Sequence, residues 1–442
     1  MGPELETGEL AALRAAALEA VRTYAAAALA EQPFEPGASL VPVAAKVLDA
    51  EDLAAATEAV LDASLTEGRF ADAFRLGLAR ATDRQHAVLV GSGSQANLLA
   101  TAAALSHLHE RPLAPGDEVI TAAVGFPTTI APAYQQGLVP VYVDVEPDTY
   151  NPSLEAIAAA IGPRTRGLVL AHTLGNPFDG PGVEALCREH DLVLIEDCCD
   201  ALGSRIGGRQ VGTFGAAATY SFYPAHHMTT GEGGAVVADD PVWVRALGSL
   251  REWGRDCWCP PGMDGVCGRR FEGCFGELPP GYDHKYVFSH VGFNFKVTDV
   301  QAALGTSQLG KLADFGRRRR EHAAYLAEAF APFEDRFVLP RTLPGADPSW
   351  FGFPLTLREG GADRRRRLQQ FLLDRRIDTR LLLAGNLVRQ PGFREREHRI
   401  AGELTHSDRI TEASLWVGCW PGLTRPMLDW IVESVGDFLA TG

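Results

Sequence analysis

The first apolar pattern along the chain is helical. Leu10, Leu13, Ala17, Val21 and Tyr24 recur on one stripe of residues 8–30, which predicts an amphipathic helix. Glu35-Pro36-Gly37 breaks it. A second helical run covers about 50–65 and stops near Gly68. From there short apolar runs alternate with helical ones, and 87–90, 118–121, 139–144, 167–171, 192–196, 217–222 and 234–238 are the strand candidates. That alternation predicts an α/β fold, a largely parallel or mixed sheet covered by helices on both faces. Residues 251–282 interrupt it with Pro, Gly, Cys and Trp and little periodicity. A connection that long reads as a functional insertion. A long helix over about 298–325 follows, then a strand–helix–strand tail. The predicted division is an N-terminal helix over 1–37, a large cofactor-binding domain over 38–325 carrying the insertion 251–282, and a small C-terminal domain over 326–442.

Composition narrows the setting. The 442 residues are 46% hydrophobic and 22% charged, ordinary values for a globular chain with a substantial core. A formal net charge of −15 argues against nucleic acid or an anionic membrane as partner. The runs Arg317–Arg320 and Arg364–Arg367 fall in polar helical stretches and read as solvated helix faces. Neither a membrane span nor the basic-then-apolar order of a signal peptide is present, so the cytoplasm is the expected compartment. The eight cysteines are then thiols or metal ligands rather than disulfides. Lys46, Lys285, Lys296 and Lys311 are the only lysines.

Three segments carry candidate chemistry. In Val88–Asn97 a buried strand runs through Gly91-Ser92-Gly93-Ser94 into a helix, whose free N–H groups and positive dipole end form either a phosphate cradle or a merely steric turn. In Leu192–Gly203 an apolar strand ends in Glu196-Asp197, at the edge where open α/β sheets bind ligands. Asp197 either caps a helix beginning near Ala201 or pairs with a protonated ring nitrogen of a cofactor. The third is Ala218–Gly234, with Thr229-Thr230-Gly231-Glu232 after a pair of histidines.

Taken in order, these segments resemble the DegT/StrS-type sugar aminotransferases, which have the fold-type-I pyridoxal phosphate-dependent transferase architecture. The third segment is similar to the family's S-F-x-x-x-K-x-x-T-T-G-E-G-G, whose lysine holds the cofactor as a Schiff base. Counting back from Thr229-Thr230, that position is His226 here. The resemblance therefore points to the branch of NDP-4-keto-6-deoxyhexose 3-dehydrases. In these the cofactor stays as free pyridoxamine 5′-phosphate (PMP) and the histidine is the acid/base. It implies Asp197 on the pyridinium, Phe126 stacked on the ring, and Gly93, Ser94, Gln95, Ser221 and Asn294 around the phosphate. Gly292–Ala303 resembles the family's GxNxKxTDxQAA, which implies that Asn294 reaches the phosphate of a neighbouring subunit in a homodimer. Gly385–Pro391 resembles the branch's GNxxRQP.

The cysteines extend the resemblance. Cys199, Cys257, Cys259 and Cys267 follow the C-x57-C-x-C-x7-C pattern of the iron–sulfur dehydrases in that branch, which implies a [2Fe–2S] cluster on these four thiolates. By spacing alone a zinc site or scattered buried thiols remain open. Cys187, Cys198, Cys274 and Cys419 fall outside the pattern and read as ordinary thiols.

The function so implied is C3 deoxygenation of a nucleotide-linked 4-keto-6-deoxyhexose. Electrons would come from a separate flavin- or ferredoxin-type reductase, since nothing in the sequence binds a nicotinamide or flavin. The arginine-rich, lysine-poor composition suggests a GC-rich genome and favours a TDP-4-keto-2,6-dideoxyhexose. A CDP-4-keto-6-deoxyglucose 3-dehydrase, a cluster-free dehydrase or aminotransferase, and a cofactor-binding regulator without turnover are the alternatives.

Overall fold

The computed structural model describes residues 7–30, 32–259 and 263–441. Seven strands of one large sheet come from the alternating region: β1 (His86–Val90), β2 (Glu118–Ala122), β3 (Val139–Val143), β4 (Thr165–Ala171), β5 (Val193–Asp197), β6 (Ala217–Ser221) and β7 (Gly234–Ala238). Four short strands, β8 (Phe337–Val338), β9 (Gly352–Leu357), β10 (Arg380–Leu381) and β12 (Ser414–Gly418), form a second sheet, while β11 (Arg399–Ala401) joins the first. The large sheet runs β1-β7-β6-β5-β4-β2-β3-β11, and only β7 is antiparallel to its neighbours. Strands β2, β3, β6 and β7 are buried at every residue, because helices cover both faces.

Residues 399–401, within the predicted C-terminal division, pair in parallel with β3 of the large sheet. Arg399 donates to the buried Glu118 carboxylate at 2.7 Å and to the Ala160 carbonyl at 2.6 Å, which ties the added strand to β2 and its neighbours. The predicted long helix is also two. It breaks at Gly310-Lys311 into Asp299–Leu309 and Leu312–Phe330.

At the N-terminus, α1 (Thr7–Ala28) docks on α2 (Ala50–Leu61) through a different face from the predicted stripe. Leu10, Leu13 and Tyr24 are exposed, whereas Ala25 is buried and Ala17, Leu18 and Val21 are half-buried. Arg14 reaches Asp62 at 2.7 Å and Arg22 reaches Glu51 at 2.8 Å, so ion pairs select the docking face. Next, α3 (Arg69–Ala81) packs Phe74 edge-on against Phe222, directly behind the end of β6.

Two further helices frame the site. The first, α4 (Gly93–Ala104), starts one turn after β1, with Ser92 as its cap accepting from the Gln95 N–H at 3.1 Å. The second, α5 (Pro127–Gln135), starts after Phe126 with proline in its first turn. Because β1, β5 and β6 run in one direction, Gly91–Ser94, Asp197 and Ser221 all meet at the same edge of the sheet.

Candidate active site

A cavity of about 250 Å³ opens at that edge. Asp197, Ser221, Ser94, Gly93, Phe126 and His226 all line it. Asp197 is almost fully buried, and its Oδ2 accepts from Asn97 Nδ2 at 2.9 Å and from Thr129 Oγ1 at 2.7 Å. Asn97 is itself held, its Oδ1 accepting from Thr219 Oγ1 at 2.5 Å. A buried carboxylate is sustained by such donors, so α4, α5 and β6 together hold this one in place. Asp197 Oδ1 also accepts from the Cys199 N–H at 3.1 Å, but the chain turns through 199–203 and no helix begins at Ala201. Asn97 and Thr129 were invisible as site residues in the sequence, although Asn97 lies one helical turn beyond Gly93.

The hydroxyl end is equally constrained. Ser94 Oγ donates to Thr128 Oγ1 at 3.0 Å, and Ser221 lies opposite. A Cβ on Gly93 would come within 2.6 Å of Ser221 Cβ and 2.9 Å of Cys199 Sγ, so only glycine lets α4 approach β6 this closely. Gln95 does not line this cavity. Its Oε1 accepts from the Gly91 N–H at 2.8 Å, which closes the turn before α4. Asn294 lies outside this chain's cavity too, exposed on a segment bridged to Glu252.

The two adjacent histidines separate cleanly. His226 faces the cavity, tilted on Phe351 at 5.1 Å, with Nδ1 3.3 Å from Asp200 Oδ1. His227 turns inward, and its Nε2 donates to the Ser349 carbonyl at 2.7 Å. Burial, with the Arg319 guanidinium nearby, holds the His227 imidazole well below its ordinary pKa. No lysine lines the cavity. Lys46 lines a separate narrow crevice that also touches His226, while Lys285, Lys296 and Lys311 are paired with Asp264, Glu252 and the Asp49/Asp52 carboxylates.

The insertion contains a second group. After the helix Pro241–Arg251 the chain is irregular as far as residue 298 except for a short turn at His284–Tyr286, and residues 260–262 lie outside the described residues. Cys257, Cys259 and Cys267 line one small pocket with His284. The Cys267 N–H donates to Cys259 Sγ at 3.3 Å. Burial raises the Cys257 thiol to about 11. Cys199, expected with these three as a ligand, lines the cavity beside Asp197. There burial, with the Asp197 carboxylate beside it, pushes its thiol far above the ordinary range.

An eight-stranded sheet with one antiparallel strand, and an anchored carboxylate facing serine hydroxyls at its carboxyl edge, define a protein of the pyridoxal phosphate-dependent aminotransferase fold. The chain belongs to the DegT/DnrJ/EryC1/StrS aminotransferase family, whose profile matches residues 46–436. It is 48% identical over 427 residues to the lipopolysaccharide biosynthesis protein RfbH of Salmonella typhimurium, covering 96% of this chain and 98% of that one. It is 50% identical over 408 residues to the dTDP-4-dehydro-2,6-dideoxy-D-glucose 3-dehydratase of Saccharopolyspora spinosa, covering 92% and 88%. Among solved structures, the E. coli GDP-4-keto-6-deoxy-D-mannose-3-dehydratase with bound hydrated PLP is similar with a TM-score of 0.80 at 26% identity, covering 89% of this chain and 99% of that one. No helix among the described residues is long and apolar enough to cross a membrane.

Proposed function

We propose that this chain is a PMP-dependent nucleotide-sugar 3-dehydratase that removes the 3-hydroxyl of an NDP-4-keto-6-deoxyhexose in deoxysugar biosynthesis. The observation that carries the reading is His226. It stands in the lysine's place in the Thr229-Thr230-Gly231-Glu232 context and faces a cavity that no lysine lines. The half-identity to the dTDP-sugar 3-dehydratase of S. spinosa supports TDP-4-keto-2,6-dideoxyhexose as the substrate. Free thiols at all eight cysteines suit an enzyme of the cytoplasm.

The residues fit the cofactor by their chemistry. Asp197 would accept from a protonated ring nitrogen, and Asn97 and Thr129 keep its carboxylate in place. Ser94, Thr128 and Ser221, with the amino end of α4, would bind the phosphate. Phe126, at the cavity mouth, would cover the ring. PMP, when bound, supplies an amine that condenses with the 4-keto group and a conjugated ring that takes up electron density. His226 would move the proton at the cofactor's C4′ and then protonate the departing 3-hydroxyl, work suited to an imidazole near neutral pH. Phe351 behind the ring and Asp200 beside it limit the imidazole to few orientations.

Loss of water leaves an unsaturated product that needs two electrons and two protons to become the 3-deoxy sugar. A [2Fe–2S] cluster on the thiolates of Cys199, Cys257, Cys259 and Cys267 would pass the electrons one at a time from a separate flavin- or ferredoxin-type reductase. The exposed Asn294 would reach the phosphate of a second subunit, making the active unit a homodimer; an active monomer in sedimentation would remove that part. The deciding experiment is incubation of anaerobically purified protein with TDP- and CDP-linked 4-keto sugars, PMP and a one-electron donor. A 3-deoxy product from the TDP sugar is expected. Transamination alone, or no turnover of any keto sugar, would refute the reading.

A further inference from the structure

The basic run Arg317–Arg320 is not one solvated face. Arg317 and Arg318 are exposed and paired with Asp314, and Arg320 reaches Asp347, but Arg319 turns inward and is wholly buried. Among the described residues no carboxylate forms an ion pair with Arg319. Its guanidinium donates instead to three backbone carbonyls. Nη2 reaches His226 at 3.1 Å, and Nη1 reaches Trp350 at 3.0 Å and Phe351 at 3.3 Å. Burial lowers its pKa to about 10, so it stays charged at neutral pH. A buried charge without a counter-charge is costly, and this one lies against the backbone of His226.

His226 stands on the irregular segment between β6 and β7, outside any helix or sheet ladder. Its N–H donates to the Tyr223 carbonyl at 2.9 Å, and its own carbonyl goes to Arg319. The next residue is tied to the same place, because His227 Nε2 donates to the Ser349 carbonyl at 2.7 Å. Residues 349–351 are thus clasped to 226–227 at both histidines. Phe351, whose carbonyl shares Arg319 with that of His226, carries the ring on which the His226 imidazole tilts at 5.1 Å. One planar guanidinium therefore fixes both the peptide that bears the imidazole and the peptide that bears the ring behind it. A lysine ammonium is a point donor and could not span both in that geometry.

We propose that Arg319 is a positioning residue for His226, holding the imidazole where proton transfer at the cofactor's C4′ and at the departing 3-hydroxyl requires it. This rests on the function proposed above, in which one ring serves both positions. Arg319 does not line the cavity, so it acts through His226 and Phe351 rather than on cofactor or sugar. A misplacement of about 1 Å in a reacting group can cost about a hundredfold in rate, which sets the size of the expected effect.

The test compares Arg319→Met and Arg319→Lys with the unaltered full-length protein. Exchange of the 3-hydroxyl with labelled water, at varied keto sugar and saturating PMP, gives kcat and KM without a reductase. Arg319→Met should lower kcat by roughly thirtyfold to a hundredfold, with KM and PMP affinity within about twofold. Arg319→Lys, which keeps the charge but not the fork, should recover part of the rate. Arg364→Met, which removes another buried arginine in the small domain, should leave kcat unchanged. A second readout needs no turnover. In protein carrying histidine labelled with carbon-13 at Cε1, the His226 signal is the one lost in His226→Gln. That signal should be single in the unaltered protein and broadened or split in Arg319→Met. If Arg319→Met does not fold, the same comparison is made on Arg319→Lys. Unchanged kcat with an unchanged His226 signal, or a fall in kcat matched by an equal loss of PMP affinity, would overturn the proposal. If the unaltered protein turns over no keto sugar, the function reading fails, and the His226 signal alone then decides whether Arg319 holds the ring.

Discussion

His226 Nδ1 lies 3.3 Å from Asp200 Oδ1, within ion-pair distance of a protonated ring though not aligned as a hydrogen bond. Asp200 therefore steadies the imidazole from the side while leaving Nε2 for the cavity. We expect Asp200→Asn to lower kcat by roughly tenfold to a hundredfold, a part of the ~10²–10⁴ that general acid–base catalysis supplies. The absorbance of bound PMP should be unchanged and Asp200→Glu should recover some rate. A loss confined to KM would contradict a positioning role.

The absence of a cavity lysine has a direct chemical consequence. Borohydride should not trap pyridoxal phosphate on the unaltered protein, because His226 cannot form a Schiff base. His226→Lys should permit trapping and abolish dehydration. An adduct on Lys46, whose crevice adjoins His226, or on any other lysine of the unaltered chain would show the assignment to be wrong.

Close approach at Gly93 is a packing constraint on the proposed phosphate end. Gly93→Ala should destabilise the fold by about 1–3 kcal/mol, the usual range for overpacking. PMP affinity should fall further than stability does, since the added methyl pushes on Ser221. Equal PMP binding in the variant, measured by equilibrium dialysis, would argue against a phosphate site there.

Acid stability should decline in two stages. The His227 pKa is depressed in the fold, so its neutral form contributes stability in full above the unfolded value of about 6.5, and that contribution is lost as pH falls. Glu196 is depressed as well. Burial raises its pKa, but His172 and the Gly215 and Gly212 N–H groups outweigh that. Its contribution is present above the unfolded value of about 4.3 and is lost as pH falls through the folded pKa. Denaturant midpoints followed from pH 7 down to about 2 check this, with His227→Gln expected to flatten the upper stage. A midpoint that rises on acidification would reverse the sign and reject the account.

Elimination and reduction should separate at the insertion. Cys257→Ala removes one thiolate of the cluster set, so the variant should still exchange the 3-hydroxyl with labelled water while making no 3-deoxy product with reductase present. Cys419→Ser, in the buried core of the small domain, controls for folding. Full deoxygenation by Cys257→Ala would leave the cluster-free dehydrase as the better description.

The sequence by itself determined the order of strands and helices, because a period of two or a buried apolar run against a period of 3.6 is a local property. It also determined that Asp197 ends a strand, a local property, while the place of His226 in the lysine's position came from the resemblance of the Ser221–Gly234 segment to the family motif. Tertiary structure decided which side chains face one another. Asn97 and Thr129 meet Asp197 from 100 and 68 residues away. Only folding shows that Gln95 turns back on Gly91, that His226 faces the cavity while His227 is buried, and that Cys199 lines that same cavity. His284 lies beyond the predicted insertion and joins the thiols only through the loop's path. The α1 stripe shows the physical reason. Periodicity defines an apolar stripe, but the partner surface chooses the docked face, and here the carboxylates Glu51, Glu58 and Asp62 chose the arginine side.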